Sequence, residues 1–219
     1  MAKYYLAFTK LNDMKYISHL DLLRLFKRAF RSAEIRLIHS EGFNPHPRLS
    51  FGQPLSLGYE SLEEWIEVET KLTHEVNDLK DTINNQLPEG ITIIEVKQAP
   101  SNQKPLAATC WQADYIIKIP LKADIIDLNT LGESFLKQPE ILVNKESKKN
   151  REIKAVNIKA MIKYLKLDLV DNNLIMQTTL DAGSNSNLSP ELLLHAFLSF
   201  SGITIPRHEI DVTRIKLRF

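Results

Sequence analysis

Among 219 residues there is a single cysteine, Cys110. It rules out an internal disulfide and a four-cysteine zinc site, which suits a reducing cytoplasm. Glycine is scarce, at seven residues. No Walker loop, nucleophile elbow, CxxC pair or His-Glu-His helix spacing is present. An excess of charge is missing too: 28 Lys and Arg against 27 Asp and Glu leave a formal +1. No global field therefore draws a polyanion, and any basic site must be local. No apolar run approaches the length of a membrane span. The N-terminus, Met1-Ala2-Lys3-Tyr4-Tyr5-Leu6, turns polar by Lys10, Asn12 and Asp13, too soon for a signal peptide. These absences predict a soluble cytoplasmic protein with no membrane association and no metal or cofactor of its own.

What is present is enough hydrophobic residue, 43%, for one large core or two of ordinary domain size. Tyr4, Leu6 and Phe8 alternate as a strand. Ser18 and Asp21 are spaced as cap and capping-box acid of a helix that runs to about Ala33. Residues 48–57 read as extended, and Glu64 to Lys71 alternate as a strand. Val76, Leu79, Ile83 and Leu87 mark a second helix, stopped at Pro88-Glu89-Gly90, and Ile91 to Val96 form another strand. The order is βαββαβ, the split unit of a ferredoxin-like fold. Gln98 to Pro105 is polar, proline-flanked and aperiodic, a domain boundary. Beyond it a similar order returns, with an extra strand or short helix near Arg151–Ile162 and a hairpin turn at Asp171-Asn172-Asn173. Ser189-Pro190 opens the last helix. The expectation is an α+β protein of two tandem ferredoxin-like domains, 1–97 and 106–219, the second with an insertion.

Two features carry chemistry. The first is Ser40-Glu-Gly-Phe-Asn-Pro-His-Pro-Arg-Leu-Ser-Phe-Gly52. Alternate prolines lock φ and push Asn44 and His46 toward extended geometry, so Phe43, Asn44, His46 and Arg48 are displayed on a stiff track at low entropic cost. A proline-stiffened lead into the next strand is the plainer alternative. The second is a cationic stripe on the first helix. Arg24, Lys27, Arg28 and Arg31 share a narrow arc, opposite Leu22, Leu25, Phe26, Ala29, Phe30 and Ala33. Like charges at this spacing repel slightly, and an anion would relieve them. A solvated face with Asp21 and Glu34 as end partners is the alternative. Stripe and loop together make the surface expected to bind single-stranded nucleic acid.

A secondary basic patch lies at Lys148, Lys149, Arg151 and Lys154, diluted by Glu146 and Glu152. The small polar run Asp181 to Asn187 precedes the last helix, where backbone N–H groups can meet phosphate, although one glycine is weak support. His19, His39 and His46 lie close in sequence, and imidazoles serve metal-independent RNA cleavage or metal ligation. His19 points toward the apolar arc, which favours a packing role. No residue is therefore assigned as catalytic. Cys110, beside Trp111, reads as buried rather than nucleophilic.

Ser18-His19-Leu20-Asp21 and Gly42-Phe43-Asn44-Pro45-His46-Pro47 closely resemble the motifs of the uncharacterised radical-SAM-linked family. So do Pro54-Leu55-Ser56-Leu57-Gly58 and the Glu64–Glu69 strand. This domain occurs alone or fused behind cobalamin-binding-type radical SAM proteins. The resemblance covers about the first 100 residues and is looser afterwards. It implies a radical SAM partner, which would carry the SAM and iron–sulfur cluster, and it points toward RNA. The expected function is a non-catalytic RNA-binding or substrate-presenting accessory of a radical SAM enzyme, in RNA or ribosome maturation. Two alternatives stay open: a metal-independent endoribonuclease using His19 or His46, and a module docking on the radical SAM protein without nucleic acid.

Overall fold

A computed structural model describes residues 1–100, 103–121, 128–146 and 153–219. The first elements are β1 (Ala2–Lys10), α1 (His19–Ser32), β2 (Leu49–Phe51), β3 (Glu60–Thr70), α2 (Val76–Asn84) and β4 (Ile91–Gln98). Then come α3 (Leu106–Thr109), β5 (Gln112–Pro120), α4 (Leu128–Lys137), β6 (Leu142–Glu146) and β7 (Ile153–Asn157). The chain ends with β8 (Ile162–Val170), β9 (Asn173–Asp181), α5 (Pro190–Ser201) and β10 (Asp211–Arg218). The class is mixed α+β. Two compact units form, Met1–Cys110 with Arg214–Phe219, and Trp111–Thr213. The sequence pattern puts the whole of 106–219 in the second domain. Instead, the interactions of Arg214 and Phe219 hold the chain's end in the first unit.

In the first unit β1 is central, antiparallel to β3 on one side and β4 on the other, and β2 pairs with β3. Period-2 alternation puts Tyr4, Leu6 and Phe8 on the face of Ile66 and Val68, all fully buried. Helix α1 covers that face because Leu22, Phe26, Ala29 and Phe30 recur at helical spacing. Phe26 meets Phe8 edge-on at 4.9 Å. The helix starts where the capping spacing predicts: Ser18 Oγ accepts from Asp21 N at 3.2 Å and donates to Asp21 Oδ2 at 2.7 Å. Helix α2 adds Leu79 and Ile83 to the core. Asn84 fastens β4 through its side-chain amide, which donates to Ile93 O at 3.0 Å and accepts from Ile93 N at 2.7 Å. The other face of the sheet is also covered: Leu106 N donates to Glu67 Oε2 at 2.8 Å, and Phe219 packs edge-on against Trp65 at 6.1 Å.

In the second unit β9 lies between β5 and β8, both antiparallel, and β6 and β7 form a separate pair. Asp171 and Asn172 adopt φ of +47° and +58°, the two-residue turn that joins β8 to β9. Phe135 of α4 packs edge-on against Phe197 of α5 at 5.4 Å. A Cβ at Gly132 would stand 3.3 Å from a Leu167 methyl carbon, so the missing side chain lets α4 lie close on β8. The segment expected to hold an extra strand or short helix contains β7 and a 3-10 turn, Lys159–Met161.

Candidate nucleic-acid interface

The chain leaves α1 through Glu34, at φ +59°. It then runs extended beside the end of β3, where Leu37 bridges Thr70 and Ile38 N donates to Glu69 O at 2.8 Å. It next folds back on itself. Ser40 N donates to His46 O at 2.8 Å, Arg48 N donates to Ile38 O at 2.7 Å, and His39 bridges Pro47. The proline-spaced motif is thus a narrow hairpin, with Glu41 to Pro45 at its tip. Gly42, at φ +121°, supplies a backbone conformation that L side chains rarely adopt.

Each loop residue singled out in the sequence has a definite place. Phe43 projects from the tip and is fully exposed. Asn44 and His46 are exposed as well. His46 is fixed twice: its N–H donates to Ser40 Oγ at 3.1 Å, and its Nδ1 stands 2.8 Å from Asn44 O. A carbonyl only accepts, so Nδ1 carries the proton and, in a neutral ring, Nε2 is left as an outward acceptor. Arg48 is ion-paired, its Nη1 standing 2.9 Å from Glu69 Oε2.

On α1 the stripe divides. Arg24 is tied to Asp21 at 2.8 Å, and the Ser18 hydroxyl, together with that guanidinium, holds the Asp21 carboxyl below the usual carboxylate range. Arg28 and Arg31 are exposed and Lys27 is half-buried. Lys27 and Arg31 open into a cleft of about 630 Å³ with Phe30, Glu34 and Ile35, and its other walls are Arg36, Leu37, His39, Pro47 and Lys71. Sequence reasoning missed Arg36 and Lys71 as site residues, and took His39 only as a candidate ligand or base. Among the described residues Lys27, Arg28, Arg31, Arg36 and Lys71 form no ion pair.

The remaining candidates lie elsewhere. His19 packs edge-on against Phe51 at 5.0 Å. Lys154 is exposed on β7, whereas Lys148, Lys149 and Arg151 lie outside the described residues. The run after β9 closes on itself, with Gly183 N donating to Ser186 O at 2.8 Å. Asp181 there accepts from Ser186 Oγ at 2.7 Å and pairs with Lys163 at 3.2 Å, which places an acid where an anion site was considered. Among the described residues no three His, Cys, Asp or Glu side chains are grouped to hold a metal ion. No described helix is long and apolar enough to cross a membrane.

Residues 3–190 match the family described as "Uncharacterized protein conserved in bacteria", DUF2344. The chain belongs to that family. The span that defines DUF2344 here takes in α1, the hairpin and every residue of the basic cleft. No curated protein matches the chain. Solved structures similar to it include the following two. A chain from a Cbf5-Nop10-Gar1 complex is 11% identical with a TM-score of 0.49, over 98% of this chain and 47% of that one. An unknown protein from Galdieria sulphuraria is 12% identical with a TM-score of 0.28, over 98% of both chains. This DUF2344 chain thus spans about half the length of the first of these.

Proposed function

We propose that the first unit binds single-stranded RNA and presents it, without catalysing a reaction itself, to a radical SAM enzyme in the cytoplasm. The observation that carries this reading is the unpaired basic cleft beside a rigid hairpin with a fully exposed phenylalanine at its tip. Cations without acidic partners attract phosphates, and an aromatic ring in solvent is a stacking platform that any base can use. An exposed Phe43 has no packing role that would account for it. In this reading Lys27, Arg28 and Arg31 contact phosphates with help from Arg24 and Arg48, Phe43 stacks, and Asn44 and His46 meet polar base edges.

The partner comes from the motif resemblance: a radical SAM protein that supplies SAM and the iron–sulfur cluster for RNA or ribosome maturation. We also read both units as ferredoxin-like, the second with an insertion. For the first unit, the strand order β4-β1-β3-β2 supports this.

The test is RNA binding measured across a salt series. Affinity should fall with a log–log slope of roughly −0.7 per phosphate neutralised. Retention of the radical SAM protein with flat salt dependence and no RNA would instead favour a protein-docking module. RNA cleavage by the purified protein in chelator would favour the endoribonuclease using His19 or His46.

A further inference from the structure

Two pairs of like charges converge on the cleft. Lys27 and Arg31 stand at i and i+4 on α1, a spacing at which like charges destabilise a helix. Arg36 and Lys71 face each other across two extended segments: Leu37 bridges Thr70, and Lys71 N donates to Arg36 O at 2.8 Å. Like charges directly opposite on neighbouring strands are likewise unfavourable. Against these four cations the lining offers one acid, Glu34. The floor is different in character. Phe30, Ile35 and Leu37 are buried core residues whose edges line the cleft, with Pro47 beside them. The volume, about 630 Å³, lies within the range of sites that enclose small ligands.

A groove that only tracks a strand meets phosphodiesters, each carrying a single charge. A phosphomonoester carries about −1.5 to −2 at neutral pH. Four cations and one acid gathered on an apolar-floored cleft match the second ligand better than the first. We propose that this cleft holds a nucleotide phosphomonoester, the phosphorylated end of an RNA strand, with the phosphate among Lys27, Arg31, Arg36 and Lys71 and the nucleoside against Pro47 and Ile35. This rests on the RNA-binding reading and deepens it. The hairpin tip, with Phe43, then takes nucleotides farther along the strand.

The experiment compares one unstructured RNA 12-mer carrying a 5′-phosphate, a 3′-phosphate or neither, by fluorescence anisotropy at fixed salt, with AMP as a free-nucleotide probe. One of the two phosphorylated ends should bind about tenfold more tightly than the unphosphorylated strand. The double variant Arg36→Gln, Lys71→Gln should lose that gain, so that phosphorylated and unphosphorylated strands bind it alike. Equal affinity for all three strands in the parent protein overturns the phosphomonoester site while leaving RNA binding intact. Binding of none of them overturns both. If AMP binds as tightly as the best strand, the ligand is a free nucleotide and the assignment to an RNA end fails. The comparison of strands in the parent protein decides the matter even if the double variant does not fold.

Discussion

Arg214 Nη1 stands 3.0 Å from Glu64 Oε1 and 2.9 Å from Oε2, with both side chains almost wholly buried. The guanidinium also donates to Gln53 O at 3.2 Å and Pro54 O at 3.0 Å. Nearby, buried Lys10 donates from Nζ to Ile17 O at 3.2 Å and Lys15 O at 3.3 Å. Burial pushes the Glu64 carboxyl up and the Lys10 ammonium down, while Arg214 and Ser61 pull the carboxyl back toward its charged form. Removing one member of a buried ion pair strands the other. Arg214→Ala or Glu64→Ala should each cost about 3–5 kcal/mol of stability, whereas an apolar replacement of both should cost much less. Thermal melts of the three variants check this, and single variants that melt like the parent would refute it.

Gly90 should not tolerate a side chain. Its φ is +88°, and a Cβ there would stand 2.6 Å from Leu11 O, a backbone atom that cannot swing aside. The same two residues are joined by Leu11 N donating to Gly90 O at 2.9 Å. Gly90→Ala should therefore destabilise by at least the roughly 1–3 kcal/mol typical of forced backbone strain. Denaturant unfolding measures it.

Cys110 is buried, and that burial pushes its thiol from the ordinary 9.0 up to about 11. A thiol raised in the folded state favours the protonated fold. The stabilising contribution is whole below pH 9 and is lost as pH rises through 11. It is worth about 2–3 kcal/mol at most, at roughly 1.36 kcal/mol per unit. Cys110→Ser should flatten the loss of stability between pH 9 and pH 11. Alkylation of the native parent should be slow at mildly alkaline pH and accelerate only on unfolding. Rapid labelling of the folded protein would contradict the burial.

The orientation of α1 is legible in the sequence because Leu22, Leu25, Phe26, Ala29, Phe30 and Ala33 recur with the helical period. Leu22, Phe26, Ala29 and Phe30 are its buried residues, and Leu25 and Ala33 are half-buried at the edges of that face. The Ser18 cap is legible for the same local reason. The cleft is not. Arg36 and Lys71 meet through the bridge of Leu37 to Thr70, a pairing between distant segments that no local pattern encodes. Glu64 escaped notice because alternation in β3 marks faces without saying which are wet. Its partner Arg214 arrives from the far end of the chain, which also carries Phe219 onto Trp65.

Charge reversal at Lys27, Arg28 and Arg31 together should leave the fold intact, since the buried face of α1 is carried by other residues. RNA affinity should fall at every sequence alike, and the salt slope should flatten by about 0.7 for each phosphate that is no longer neutralised. Anisotropy titrations at several salt concentrations read both quantities. An unchanged slope would mean that these side chains do not touch phosphate.

The hairpin tip separates display from packing. Phe43 is fully exposed, so Phe43→Ala uncovers no core surface and should leave the melting temperature where it was. A core phenylalanine would cost about 3–5 kcal/mol on the same change. Bound RNA should respond instead, because a stacked base is worth about 1–3 kcal/mol, or roughly five- to more than a hundredfold in affinity. Pro45→Ala with Pro47→Ala should act differently. Neither substitution removes a stacking surface. Both return backbone freedom that is worth on the order of 1 kcal/mol or less per site, so affinity and stability should fall together by a small amount. The hairpin bonds from Ser40 N to His46 O and from Arg48 N to Ile38 O remain available to hold its base. A large loss of stability in Phe43→Ala would show the ring packed in solution. An unchanged affinity for RNA with the fold preserved would remove the tip from the interface.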